Sequence, residues 1–503
     1  MTILPAPTPG LQACVVVPAR DEEALVGACV RALAAQEGVE PGAHELLLVL
    51  DRCTDATEAR ARAAAGGLAL HVLHATEPGV GAARRLGMDL ACERLHAVGR
   101  PHGLIACTDA DSEAAPDWLA VQLAAVADGA RAIGGRAAMA DADVAALGPE
   151  IRARRDRDAA ARLARAREHA APGTRTEHWQ FSGASMALTA EAYRLAGPLE
   201  PRTGLEDEAL ERMLRRCGIP VDRLLGVRVT TSARLGGRAP RGLALDLRRA
   251  RWLSERRFDG LAYRADALAD RRTATVSVLT QDPRAIAPLQ RAGAVDEVVA
   301  ADGAGFGTGF GPCLGRGDAL WRALAASTGE LVVIADGAAT ALGLLGALLE
   351  DPAIAFVKGA PDGEDRVAEL VARPLLNLHV PELAAMLQPL AAETAARRTL
   401  LERLPFAVGE GIEIGLLIDA HREAGLGGMA QVRLGPGARP AAPAAERALA
   451  VLTTAERRIH GAVRADAHAP GHLLVPAGGE FEAQPVALDE RPPLSGLPRP
   501  AAA

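Results

Sequence analysis

The sequence predicts an α/β protein built as two doubly wound, mostly parallel sheets in tandem, and three observations carry that prediction. Short runs of Val, Leu and Ile alternate with longer helical stretches rich in Ala, Arg and Leu, the pattern of strand-helix-strand units. The runs end in polar or Gly-bearing loops, as strands do whose carboxyl ends face a site. The alternation gives way to an arginine-rich stretch, Arg234 to Arg272, and starts afresh at Thr275-Val276-Ser277-Val278-Leu279.

Composition narrows the function. A chain of 503 residues with 49% hydrophobic and 24% charged residues is ordinary for a globular protein with more than one core. A net charge of −7 and 3% aromatic residues give neither the basic surface nor the stacking side chains of a nucleic-acid binder. The seven cysteines, at 14, 29, 53, 92, 107, 217 and 313, form no C-x-x-C pair, so no zinc site or disulfide framework is indicated and a cytoplasmic location is expected. No stretch has the form of a signal peptide or a spanning helix.

Taken in order, Val15-Val16-Val17 predicts the first strand, followed by Pro18-Ala19-Arg20-Asp21-Glu22-Glu23 and a helix to Gln36 whose acidic first turn suits the helix dipole. Leu46 to Leu50 is the second strand, ending in Asp51; an acid there suits a nucleoside, and the helix cap falls to Thr54 or Asp55. A third strand near Leu68 to Leu73 leads into Glu77-Pro78-Gly79-Val80-Gly81-Ala82-Ala83-Arg84-Arg85, where the backbone amide of Gly81 and the side chain of Arg84 can face a diphosphate.

The fourth strand, in Gly103-Leu104-Ile105-Ala106-Cys107-Thr108-Asp109-Ala110-Asp111-Ser112, organises the first half. Extended residues two apart share a face, so Asp109 and Asp111 point into one site at the sheet's carboxyl edge, where a carboxylate pair suits Mg²⁺ or Mn²⁺. Asp141-Ala142-Asp143 and Asp156-Arg157-Asp158 have the same form without a preceding strand, so position and not the tripeptide carries the argument. A strand from Ala132 to Ala138, a charged helical insertion over 141 to 176 and the stretch Phe181-Ser182-Gly183-Ala184-Ser185-Met186, whose small residues allow either close approach to a ligand or tight packing, follow. Gly204-Leu205-Glu206-Asp207-Glu208 then opens a helix, with Asp207 the candidate base for an acceptor hydroxyl and Glu206 its alternate.

With Pro18-Ala19-Arg20-Asp21-Glu22-Glu23, Asp51, Thr108-Asp109-Ala110-Asp111 and Leu205-Glu206-Asp207 in this order, residues 10 to about 235 resemble a family-2 glycosyltransferase of GT-A fold. The resemblance implies donor contacts from Pro18, Ala19, Arg20, Glu22, Asp51, Gly81, Arg84 and Asp109. It also implies Mg²⁺ or Mn²⁺ on Asp109 and Asp111, and Asp207 as the base of an inverting displacement. No histidine lies in Val227 to Arg234 to complete the metal's ligands.

In the second half, Gly303-Ala304-Gly305-Phe306-Gly307-Thr308-Gly309 has imperfect dinucleotide-loop spacing and reads as a mobile loop. Leu314-Gly315-Arg316-Gly317-Asp318, Phe356-Val357-Lys358-Gly359, Arg366 to Leu375, Leu404-Pro405-Phe406 and Gly411 to Asp419 are similar to glucosyl-3-phosphoglycerate synthases, over about 274 to 450. That family is a retaining GT-A transferase. Here its Asp-x-Asp stands as Ala335-Asp336-Gly337, its acceptor loop as Gly363-Glu364-Asp365-Arg366-Val367-Ala368, and its late histidine is missing from Pro436 to Pro440. Core signals survive and site signals do not.

The expectation is therefore two GT-A-type, Rossmann-like nucleotide-sugar transferase domains in tandem: 1–265 active, 266–460 degenerate, and 461–503 a disordered Pro- and Ala-rich tail. The expected partners are a nucleotide-sugar donor, a UDP-sugar foremost, and a small-molecule or glycan- or lipid-linked acceptor, with a homo-oligomer open. The alternatives are glucosyl-3-phosphoglycerate synthesis by the second half, and a non-catalytic nucleotide-sugar-binding or scaffold protein.

Overall fold

The run Ala13–Ala19 is buried along its whole length and forms β1 of the computed structural model, which describes residues 4–237, 241–303, 311–437, 442–461, 472–477 and 480–497. The chain divides into two units, Met1–Arg251 and Trp252–Ala503. In unit 1, β1 is joined by β2 (His44–Leu50), β3 (Ala69–His74), β4 (Leu104–Cys107), β5 (Ser112–Ala114), β6 (Ala132–Met139), β7 (Met186–Thr189) and β8 (Val221–Thr231) in one sheet ordered β3-β2-β1-β4-β7-β6-β8-β5.

Alternation along the strands decides which side each residue packs on. Val15, Val17, Leu46 and Leu48 join Val26, Val30 and Leu33 of helix Val26–Ala34 and Trp118 on one face. Val16, Leu47 and Val49 join Met88, Ala91 and Leu95 of helix Val80–Ala97 on the other. That helix approaches closely because position 87 has no side chain: a Cβ on Gly87 would lie 2.4 Å from Val16 Cγ1. Each fully buried Leu or Val contributes about 1.5–3 kcal/mol over exposure, so two covered faces hold the sheet's carboxyl edge firmly under the site.

The sheet is mixed where a mostly parallel one is expected. β1 pairs in parallel with β2 and β4, but β7 runs antiparallel to both β4 and β6, and β5 antiparallel to β8. The helical pattern over 141 to 176 is two helices, Asp141–Ala146 and Pro149–Glu168.

Unit 2 carries β9 (Arg257–Asp259), β10 (Val276–Thr280), β11 (Glu297–Ala300), β12 (Leu331–Ile334), β13 (Phe356–Asp362), β14 (Thr394–Arg397), β15 (Phe406–Ala407), β16 (Met429–Pro436), β17 (His472–Ala477), β18 (Glu480–Pro485) and β19 (Glu490–Arg491). Its main sheet runs β11-β10-β12-β14-β13-β16-β9. The six strands from β11 to β16 repeat the order and directions of β2-β1-β4-β7-β6-β8: two parallel pairings, two antiparallel, one parallel.

The chain divides earlier than the expected boundary after 265. Trp252 Nε1 donates to the Met429 carbonyl and β9 pairs with β16, so the arginine-rich stretch, helical over Leu243–Glu255 and Ala265–Arg271, supplies an edge strand between those two helices. Residues 486–497 correct the expectation of a disordered tail. β19 pairs with β15, the Pro492 carbonyl accepts from Trp321 Nε1, and Arg491 reaches the fully buried Asp318 at 2.8 and 2.9 Å, so these prolines lie on a surface that Pro/Ala composition does not reveal. Most of the glycine loop, 304–310, and residues 438–440 lie outside the described residues.

Candidate active site

The unit 1 site forms past the carboxyl ends of β1, β2 and β4 and at the start of helix Glu206–Arg216. Arg84 is its centre. On the first turns of helix Val80–Ala97 and 1% exposed, Arg84 donates through Nη2 to Asp109 Oδ1 (2.7 Å), through Nε to Glu206 Oε1 (3.2 Å) and through Nη1 to the Gly183 carbonyl (3.1 Å). Gly183 has to be glycine here, since a Cβ would lie 2.4 Å from Arg84 Nη2. Burial works against the guanidinium's charge, but Asp109 and Glu206 more than offset it and raise its pKa. Glu206 is pushed up, chiefly by burial and in part by Asp207, against the pull of Arg84.

Asp207 Oδ2 accepts from the Gly183 amide at 3.1 Å, and its Oδ1 accepts from the Glu208 amide at 2.8 Å. One line of contacts thus runs from Asp109 through Arg84 and Gly183 to Asp207, and the metal and base candidates belong to a single assembly.

A second guanidinium, missed in the sequence, closes the other side. Arg234, just past β8, holds Glu22 through Nη1 at 2.6 Å and Nη2 at 2.5 Å, and Asp111 Oδ2 through Nη2 at 3.0 Å. The signal was its position in the stretch where the resemblance calls for a histidine. Asp111 is pushed up to about 6 by burial and then by Asp109, with Arg234 opposing. Four carboxylates, Glu22, Asp109, Asp111 and Glu206, face two guanidiniums, leaving a surplus of two negative charges. Asp109 Oδ2 accepts no hydrogen bond among the described residues, and Asp111 Oδ1 has only a 3.5 Å contact from Ser112 Oγ. The donor set therefore fits a hard divalent cation in charge and in open oxygens.

Asp51 is 3% exposed; its Oδ2 accepts from the Gly79 amide (2.9 Å) and its Oδ1 from Arg52 Nε (3.0 Å), with Arg20 Nη1 3.8 Å away. Pro18 and Ala19 are buried in β1, and the Ala19 carbonyl accepts from the Asp51 amide, so both shape the floor. Gly81 departs from expectation. Its amide donates to the Arg202 carbonyl at 3.0 Å and a Cβ would lie 2.3 Å from that oxygen, so it packs against the 202 backbone and does not face a diphosphate.

The backbone stores strain around these acids. The non-glycine residues with positive φ among the described residues are Asp21, Arg52 and Leu205, at 51°, 51° and 59°. They adjoin Glu22, Asp51 and Glu206, and left-handed geometry at about 1–2 kcal/mol each clusters where function holds it. Asp21, Cys53 and Asp55 also come within metal-binding reach, but Asp21 Oδ1 accepts from Thr54 and Asp55 Oδ1 accepts from the Thr57 amide, a capping arrangement.

In unit 2 the acids of the region that the sequence aligns with the site are likewise held by neighbours. Asp336 Oδ1 accepts from Thr280 Oγ1 and the Gln281 amide, Arg316 pairs with Glu413, and Asp365, on the acceptor-loop equivalent, is held by Arg447 at 2.6 and 3.1 Å. Lys358, the sole lysine, is buried in β13, and burial lowers its pKa to about 7.

Residues 14–186 match the family model "Glycosyl transferase family 2". The glucosyl-3-phosphoglycerate synthase of Mycolicibacterium smegmatis is 38% identical over 211 residues, 37% of this chain and 68% of the relative. That of Mycobacterium tuberculosis is 45% identical over 142 residues, so that this chain spans 44% of the length of that relative. The crystal structure of mannosyl-3-phosphoglycerate synthase from Rubrobacter xylanophilus aligns over 49% of this chain and 98% of its own, at 31% identity and a TM-score of 0.44. Among the described residues, no helix is long and apolar enough to cross a membrane.

Proposed function

This chain belongs to the glucosyl-3-phosphoglycerate synthase family of glycosyltransferases, and we propose that its unit 1, which carries the family-2 match, departs from that family's retaining course and transfers a sugar from a nucleotide-sugar donor to a hydroxyl acceptor by a metal-assisted, inverting displacement with Asp207 as base. The observation that carries this reading is the surplus of two negative charges among Glu22, Asp109, Asp111 and Glu206, with oxygens left open on Asp109 and Asp111.

Asp109 and Asp111 would hold Mg²⁺ or Mn²⁺, and the cation, when bound, would supply positive charge to stabilise a diphosphate leaving group. Arg84 fixes Asp109 and Glu206, so that the metal carboxylate does not turn away from the donor. Asp51, at the end of β2, receives the nucleoside. Asp207 takes the acceptor's hydroxyl proton as that oxygen attacks the anomeric carbon from the face opposite the leaving group, which inverts its configuration. Tandem GT-A domains are part of the proposal, supported by the six-strand order common to both sheets; on this reading unit 2 is retained as a folded partner.

A second reading places glucosyl-3-phosphoglycerate synthesis in unit 2. It is favoured by the activity that the relatives' names give them, and opposed by Ala335 and Gly337 where a carboxylate pair is called for and by the pairing of Asp365 with Arg447. One experiment separates the two. Nucleotide-sugar turnover by the full chain is measured with Mn²⁺ for the unaltered protein and for Asp111→Asn. Loss of about 100-fold or more is expected, because Lewis-acid stabilisation is worth several kcal/mol and each 1.36 kcal/mol is tenfold. Turnover of 3-phosphoglycerate that survives Asp111→Asn assigns the activity to unit 2, and full activity in EDTA removes the metal.

A further inference from the structure

The two guanidiniums of the unit 1 site differ in one respect that bears on the donor. The Arg84 side chain is 1% exposed and locked by three acceptors, whereas that of Arg234 is 27% exposed and lies at the site's rim. Its main chain is tied down: the Arg234 amide donates to Ser232 Oγ at 3.3 Å, and the Ser232 amide donates to the Asp111 carbonyl at 3.2 Å. The side chain is held by carboxylates alone, by Glu22 through Nη1 and Nη2 and by Asp111 through Nη2.

Nη2 at 3.0 Å stands against Asp111 Oδ2 and puts a positive charge beside the oxygens a divalent cation needs. Arg234 and the metal therefore compete for one carboxylate. A diphosphate changes the balance, because it brings negative charge to the same place and its oxygens match the guanidinium fork as well as a carboxylate does.

We infer that Arg234 changes partners during donor binding: it guards Asp111 in the empty site, yields it to the metal, and passes to the donor's diphosphate. This rests on the proposed function and names a binding residue of that site. It requires two effects of opposite sign. Removing the guanidinium strengthens binding of the metal alone and weakens binding of the metal-nucleotide pair. An ion pair that only holds the fold together does not give that crossed result.

The test is calorimetry on the full chain, first with Mn²⁺ alone, then with UDP and with GDP at saturating Mn²⁺. For Arg234→Gln, Mn²⁺ is expected to bind about 10-fold tighter and the nucleotide about 10-fold weaker, the scale of one charge beside another at a partly exposed site. Arg234→Lys keeps the charge and loses the fork, so Mn²⁺ affinity stays near that of the unaltered protein while nucleotide affinity falls. Affinities that shift in the same direction, or not at all, overturn the inference. Where the Gln variant does not fold, Arg234→Lys decides: nucleotide affinity at saturating Mn²⁺ that does not fall overturns the inference. Mn²⁺ that binds the unaltered protein and is indifferent to Arg234→Gln removes the inference alone; no Mn²⁺ or nucleotide binding by any of the three removes the metal reading of the site together with it.

Discussion

Lys358 offers a sharp test of the electrostatics of unit 2. Its amine lies on β13 between β14 and β16, 1% exposed, and burial brings its pKa from 10.5 to about 7, with Glu393 pulling upward and Arg316 adding to the depression. Below about pH 7 the amine is protonated in the folded and the unfolded chain, and the fold bears the full burden of a buried charge. Between about 7 and 10.5 the fold holds a neutral amine while the unfolded chain keeps its proton, so unfolding binds a proton and stability rises with pH. The slope from this group is about 1.4 kcal/mol per pH unit, and the whole window is worth roughly 4–5 kcal/mol. Lys358→Met keeps the length and removes the charge. In urea unfolding at pH 7, 8, 9 and 10, the variant is expected to be the more stable by several kcal/mol at pH 7, with a lead that shrinks steadily toward pH 10. A lead independent of pH would refute the reasoning, because it would mean that the amine is equally charged in fold and coil.

Three further predictions concern single contacts. Arg84→Met leaves Asp109 and Glu206 without their shared cation and should lower the stability of unit 1 by about 3–5 kcal/mol, measured by chemical unfolding; a loss under 1 kcal/mol would show that the two acids relax into solvent. Asp207→Asn should lower kcat with donor affinity nearly unchanged, because the proton is taken only on the way to the transition state; unchanged turnover would move the base to Glu206. Arg491→Met strips from buried Asp318 one of its two arginines, leaving Arg322, and should lower the melting temperature of unit 2; an unchanged value would mean that Arg322 suffices.

The elements that could be read from the sequence are those whose cause is local. The apolar runs of β1, β2 and β4, the Asp109/Asp111 pair past β4 and the acidic start of helix Glu206–Arg216 all follow from periodicity and dipole. Strand direction was not legible: Met186–Thr189 shows four buried residues and nothing that says it runs against both neighbours. Arg84 reads in sequence as an arginine near a loop, because its acceptors Asp109 and Glu206 lie 25 and 122 residues away. Arg234 pairs with Glu22 across 212 residues, a pairing that its place in the stretch where the resemblance calls for a histidine does not reveal. Gly81 shows the same limit, since the Arg202 carbonyl that fills its space comes from a distant loop.

The return of β19 to Asp318 has a consequence for the order in which the chain is made. Arg491 follows Asp318 by 173 residues. At synthesis rates of about 5–20 residues per second, roughly 10 to 35 seconds pass between the emergence of the acid and that of its second arginine. Through that interval Asp318 has Arg322 within its own helix, and from the time β15 is made, about halfway through, β15 has an open edge. Open edges of this kind recruit other strands, so nascent unit 2 is the part of the chain that needs shelter. Unit 1 closes its own ring of contacts when Arg234 reaches Glu22, more than 200 residues before the strand that joins β15 is made.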